Sequence, residues 1–126
     1  KATLARKLKK SDGYIDWTQP AERIRNLVRG MWPWPGAQSV YVSQDTGRSY
    51  RVTIAQAQAV PAVSQEFTTP GMLDENLNVI CGQGALELQW VKPSGSNMMD
   101  FKSFVNGHQT RPGDLFLPLE QIQQQV

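Results

Sequence analysis

The chain has 126 residues, 40% of them apolar and 19% charged, which describes one globular domain and excludes a disordered chain. Its 13 basic and 11 acidic groups leave a net charge of +2, too even a balance to point to a partner by itself. Apolar runs of only a few residues exclude a bilayer-spanning helix, and no apolar stretch follows the basic first ten residues as a signal peptide requires.

Residues 1–12 are basic and weakly periodic, and read as an arm leading into the domain. Order is expected from Tyr14-Ile15-Asp16-Trp17 onward. Thr18 has the chemistry of a helix N-cap, and Pro20 suits a first turn, where its missing N–H has no intrahelical partner. Ala21, Ile24, Leu27, Val28 and Met31 recur with a 3.6-residue period, which predicts a helix with one buried face. Gly30 and the Pro33-Trp34-Pro35-Gly36 run end it. Trp17 and Trp34, flanking the helix, are expected to staple it to the rest of the domain.

Strands follow. Val40-Tyr41-Val42 favours β structure, Asp45-Thr46-Gly47 supplies a turn, and Tyr50, Val52, Ile54, Ala57 and Val60 lie in a longer strand. Residues 61–69 read as an exposed loop, and Pro70-Gly71 opens another short strand before Leu77-Asn78-Val79-Ile80-Cys81. Gly82-Gln83-Gly84 is a hairpin signal returning into Ala85–Val91. There the alternation places Leu86, Leu88 and Trp90 on one face; Trp17, Trp32, Trp34 and Trp90 all have the chemistry of base-stacking platforms, but Trp90, alternating with leucines, is expected in the core. Lys92-Pro93-Ser94-Gly95 closes that strand, residues 99–106 form a short helix ended by Gly107, and residues 120–126 fray. Five or six short strands without helical crossovers, one helix before them and one after, describe a mainly β fold, a small antiparallel barrel.

The residues offer little catalytic chemistry. His108 stands in a Gly107-His108-Gln109 loop without an oriented partner, and reads as solvent-facing. Cys81, the single cysteine, lies in an apolar run and reads as a small core residue; it excludes a disulfide framework and fits a reducing, cytoplasmic compartment. One histidine and one cysteine are too few for a structural zinc site. Gly82-x-Gly84 lacks the Lys-Ser/Thr pair of a phosphate loop, and Asp16 reads as a partner of the helix dipole.

Charge is more informative than its total. Residues 1–51 carry a net +6 and residues 52–126 a net −4, so one end of the chain suits a polyanion. Arg25 and Arg29 share a helix flank away from the apolar face, with Glu22 beside them, and Arg48 and Arg51 border the first strand turn. With the arm lysines these could form a basic band for phosphates.

Several landmarks occur together in one order. They are Lys7-Leu8-Lys9-Lys10, Ile15-Asp16-Trp17, Ala21-Glu22, Ile24, Val28-Arg29-Gly30 and Pro33-Trp34-Pro35-Gly36-Ala37. Pro70-Gly71, Gly82-Gln83-Gly84-Ala85-Leu86, Pro93-Ser94-Gly95, Met99-Asp100-Phe101, Gly107 and Pro112-Gly113-Asp114 then follow. Over roughly residues 7–117 this set resembles the C-terminal domain of methionyl-tRNA formyltransferases. The resemblance implies an OB-like barrel over residues 13–118, a basic interdomain linker over 1–12 and a flexible tail over 119–126. It implies a monomer, without membrane attachment, whose N-terminal catalytic domain holds 10-formyltetrahydrofolate and the catalytic residues, leaving no catalytic, cofactor or metal site here. The first residue is Lys and not Met, which fits a piece of a longer protein.

The partner implied is initiator methionyl-tRNA. Lys7, Lys9 and Lys10 would touch it, with Arg51 and Lys92, and the basic band adds Arg25 and Arg48; Arg29 lies within the motif and has a structural reading instead. Where the family often has lysines after its Pro-x-Gly turn, this chain has Ser96 and Asn97. Related domains serve as scaffolds in sugar N-formyltransferases and formyltetrahydrofolate dehydrogenases, which is the second reading. A free-standing barrel binding single-stranded nucleic acid is the third.

Overall fold

The computed structural model describes residues 10–119. A 3-10 turn at Lys10–Gly13 leads to helix α1, Ala21–Met31. Strands β1 (Ala37–Val42), β2 (Ser49–Val60), β3 (Val79–Ile80), β4 (Ala85–Pro93) and β5 (Met99–Asp100) follow, then helix α2 (Phe101–His108) and β6 (Leu115–Leu117). All strand pairs are antiparallel, in the order β3-β4-β2-β1-β6, with β5 on β4. Met72 bridges to Leu115 on β6 and Leu73 to Val79 on β3, so the Met72-Leu73 step nearly closes the sheet. The result is a small, nearly closed, OB-like antiparallel barrel with one helix before its strands and one late helix.

The predicted face of α1 is the buried one: Ala21, Ile24 and Val28 enter the core, with Leu27 packed at its margin. Thr18 does not cap the helix. Its hydroxyl donates instead to Asp16 Oδ1, and its amide donates to the same oxygen at 3.0 Å. Pro20 holds the cap position, and the Ala21 amide donates to the Gln83 carbonyl at 2.8 Å. The orphan amide is thus satisfied from a hairpin distant in sequence, which local pattern does not reveal. That hairpin needs Gly82, because a Cβ there would lie 1.8 Å from the Thr18 carbonyl oxygen.

Trp17 does staple the helix start, its indole Nε1 donating to Ser39 Oγ at 3.0 Å and its ring lying against Phe116. Trp34 does not. Its side chain is 55% exposed, because Pro35 and Gly36 take the buried places in that loop. Near the other end of the core, Asp114 is buried and accepts from the Tyr41 hydroxyl, the Arg111 amide at 3.0 Å and the Gln44 amide at 2.9 Å. Burial first, and Asp114 second, push the Tyr41 hydroxyl up to about 12. Helix α2 continues through Gly107 to His108 and stops at Gln109 in the left-handed region, φ 52°. Its N-cap is Asp100, which accepts from the Ser103 amide at 3.0 Å. Leu119 is buried, and the expected tail over 120–126 lies outside the described residues.

Candidate nucleic-acid interface

The expected phosphate contacts come from several elements, of which Arg51 is on β2 itself. Lys7 and Lys9 lie outside the described residues, and Lys10 opens the 3-10 turn. Arg48 is exposed in the turn before β2, where its amide donates to Thr46 Oγ1 at 3.2 Å. Arg51 is exposed on β2 itself. Lys92, exposed on β4, stands opposite Thr53, and the Ser94 amide donates to the Arg51 carbonyl at 2.9 Å. Arg51 and Lys92 therefore share the outer sheet face as diagonal neighbours.

Arg25 reaches the far part of that face. It is half-buried and lines a surface cleft with Glu22, Gln56, Gln58 and Gln89. Along a strand that rises about 3.3 Å per residue, Gln56 is about 17 Å from Arg51. The cations thus follow the strand as a line and not as a cluster. Arg29 is exposed and donates to Asn26 Oδ1 at 3.0 Å across one helix turn.

Trp90 overturns its expected core position. It is 44% exposed on the outer face, two residues from Lys92. The cause is a pair of compensating irregularities in the β2–β4 ladder. Ile54 pairs with Val91, Gln56 with Trp90 and Ala57 with Leu88, so Ala55 and Gln89 are each an extra residue. Inward positions run Val52, Ile54, Ala57, Ala59 on one strand and Leu86, Leu88, Val91, Pro93 on the other. Both alternations jump by three residues at the same place, as a bulge requires. The three-residue gap between Leu88 and Val91, matched by that between Ile54 and Ala57, is the sequence signal that marks it.

Beside Trp90 stand Gln56 on β2 and Asp100 on β5, and Met98, just before β5, is 46% exposed. Bonding from the Ser103 hydroxyl and amide holds the Asp100 carboxyl below the usual range, with Lys102 assisting. That acid is therefore engaged as a helix cap. Gln89 donates to Gln58 at 3.1 Å and completes a neutral polar stretch between Arg25 and Trp90.

The remaining reactive groups are structural. Cys81 is buried, and burial pushes its thiol up to about 12, which keeps it protonated and unreactive. His108 is not in an exposed loop: it ends α2, half-buried, stacked on Phe104 at 4.2 Å and edge-on to Tyr50 at 4.7 Å. Asp16 turns the chain through Thr18 without capping the helix, and the Thr18 hydroxyl, then its amide, lowers its carboxyl below the usual value. Among the described residues no group of three or more His, Cys, Asp or Glu side chains could hold a metal ion, and no helix is long and apolar enough to cross a membrane.

Residues 7–109 match the family described as formyl transferase, C-terminal domain. The chain is 47% identical over 108 residues to a methionyl-tRNA formyltransferase of Solibacter usitatus, covering 84% of this chain and 32% of that protein. It is 36% identical over 112 residues to one of Chlamydia abortus, covering 86% and 34%. With one of Symbiobacterium thermophilum it is 37% identical over 128 residues, covering 98% and 37%. The chain thus spans about a third of the length of the curated relatives it matches. It belongs to the formyl transferase C-terminal domain family.

Proposed function

We propose that this chain is the tRNA-binding domain of a methionyl-tRNA formyltransferase, helping to position initiator methionyl-tRNA while a catalytic domain of the parent protein transfers the formyl group. The reading is supported by family membership together with the name shared by the relatives above. The observation that carries it to this surface is the outer face of β2 and β4, where Arg51 and Lys92 are exposed side by side. The parent would draw its formyl group from 10-formyltetrahydrofolate, held outside this domain.

The work assigned to this domain is electrostatic. Each cation that neutralises a phosphate releases condensed counterions, so affinity falls as salt rises. Contacts from Arg51, Lys92, Arg48 and Arg25, joined by Lys7, Lys9 and Lys10 in the linker over residues 1–12, orient an RNA without reading its sequence. Three to five neutralised phosphates would give a log–log salt slope of roughly −2 to −4.

The test is a titration with tRNA and with a single-stranded RNA of equal charge, at low and at physiological salt. Stronger binding of tRNA that fades with salt, and weakens when Lys7, Lys9 and Lys10 are replaced by Ala, supports the proposal. No binding at low salt would refute it, and would return the domain to the scaffold role of a sugar formyltransferase.

A further inference from the structure

Trp90 departs from the alternation that should have buried it. An indole facing water forgoes burial that a regular β4 would have provided, since Leu86, Leu88 and a regularly spaced Trp90 would share one face. Both strands of the β2–β4 ladder shift phase together at Ile54–Ala57 and Leu88–Val91, which turns Trp90 outward while Val91 takes the core position. Bulges that re-aim a side chain commonly serve a site.

The surroundings specify what the indole could meet. Lys92 follows it by two residues on the same face, and Arg51 lies beyond Lys92 on the neighbouring strand, about 17 Å along β2 from the Gln56 that pairs with Trp90. Gln56 and Gln89 border it without charge, Met98 adds a second exposed apolar side chain, and Asp100, opposite on β5, caps α2 with Lys102 beside it, while Glu22 stands farther off in the cleft with Arg25. An aromatic surface from which cations lead away along one side suits a nucleobase joined to phosphates. The base must be unpaired, because bases within a stem are stacked on each other and offer no free face.

We infer that Trp90 is a stacking platform for an unpaired base, in a loop or at an end of the bound RNA, with Lys92 and then Arg51 on the phosphates that lead away from it. This rests on the tRNA-binding reading above. It adds to it a preference for RNA with unpaired bases over plain duplex, and assigns that preference to one side chain. The cations supply salt-dependent attraction to either form, whereas the indole discriminates between them.

The experiment compares wild type, Trp90→Ala, Trp90→Phe and the double variant Arg51→Ala/Lys92→Ala. The probes are tRNA and a blunt RNA duplex with the same number of phosphates. Trp90→Ala should weaken tRNA binding about tenfold at fixed salt, leave the salt slope unchanged, and leave duplex binding unchanged. Trp90→Phe should retain most of the affinity, and the fluorescence difference between wild type and Trp90→Phe should be quenched by tRNA. Arg51→Ala/Lys92→Ala should weaken both probes and reduce the slope by about 2.

Wild-type tRNA affinity in Trp90→Ala, or equal losses on tRNA and duplex, would overturn the stacking role while the double variant still supports the basic face. The stacking role fails likewise if Trp90 is shielded from iodide in the parent protein without RNA, since a protein surface would then cover it. If the double variant binds both probes as tightly as wild type, the tRNA-binding reading of this face fails, and the stacking role with it.

Discussion

The buried end of the barrel around Asp114 and the outer face around Trp90 are built on opposite terms. At Asp114 one carboxylate gathers the Tyr41 hydroxyl and the Arg111 and Gln44 amides, so the end of β1 and the loop before β6 are tied through a single acceptor. On the outer face Arg51, Lys92 and Trp90 are exposed, and polar groups there have water as an alternative partner. A dry hydrogen bond that loses its acceptor is costly, whereas an exposed cation that loses its neighbour is nearly neutral. Stability should therefore reside at one region and RNA affinity at the other.

The sharpest way to break that division is Asp114→Ala, which takes the carboxylate from the buried Tyr41 hydroxyl and from two part-buried amides and should lower stability by about 3–4 kcal/mol in urea unfolding. Gly82→Ala comes next, at about 2–3 kcal/mol, because the new methyl meets the Thr18 carbonyl and disturbs the hairpin that caps α1. Tyr41→Phe removes one hydroxyl and relieves its burial, and should cost about 1–2 kcal/mol by the same assay.

Alkaline pH probes the interior more gently. Cys81 rises from 9.0 to about 12 and Tyr41 from 10.0 to about 12 on folding. Both therefore hold their protons longer in the native chain, and unfolding releases protons once the unfolded groups ionise. Their contribution is complete below about pH 9 and is lost as pH rises toward 12. Cys81→Ala should move the onset of that loss up toward pH 10, where Tyr41 alone begins to act. The smallest effect belongs to the outer face: Arg51→Ala/Lys92→Ala should change stability by less than about 0.5 kcal/mol while weakening RNA binding.

Much of this architecture was legible from local pattern. The apolar face of α1 follows a helical period, and the Gly82-Gln83-Gly84 hairpin and the loop over 61–69 announce themselves by composition. What escaped was decided between segments. Thr18 has the chemistry of an N-cap, yet the Gln83 carbonyl satisfies the helix because Gly82 lets the hairpin approach so closely. Gly107 should end α2 by propensity, but packing of His108 on Phe104 and Tyr50 carries the helix past it. The outer face was half legible: Arg51 and Lys92 stood out as charges, while Trp90 was hidden by extending a period of two through a bulge.

The most direct measurement is the salt dependence of tRNA affinity for wild type and Arg51→Ala/Lys92→Ala, with unfolding followed on the same samples. A slope roughly 2 shallower in the variant, at unchanged stability, is the result predicted for an outer face that meets phosphate. An unchanged slope and affinity would contradict it.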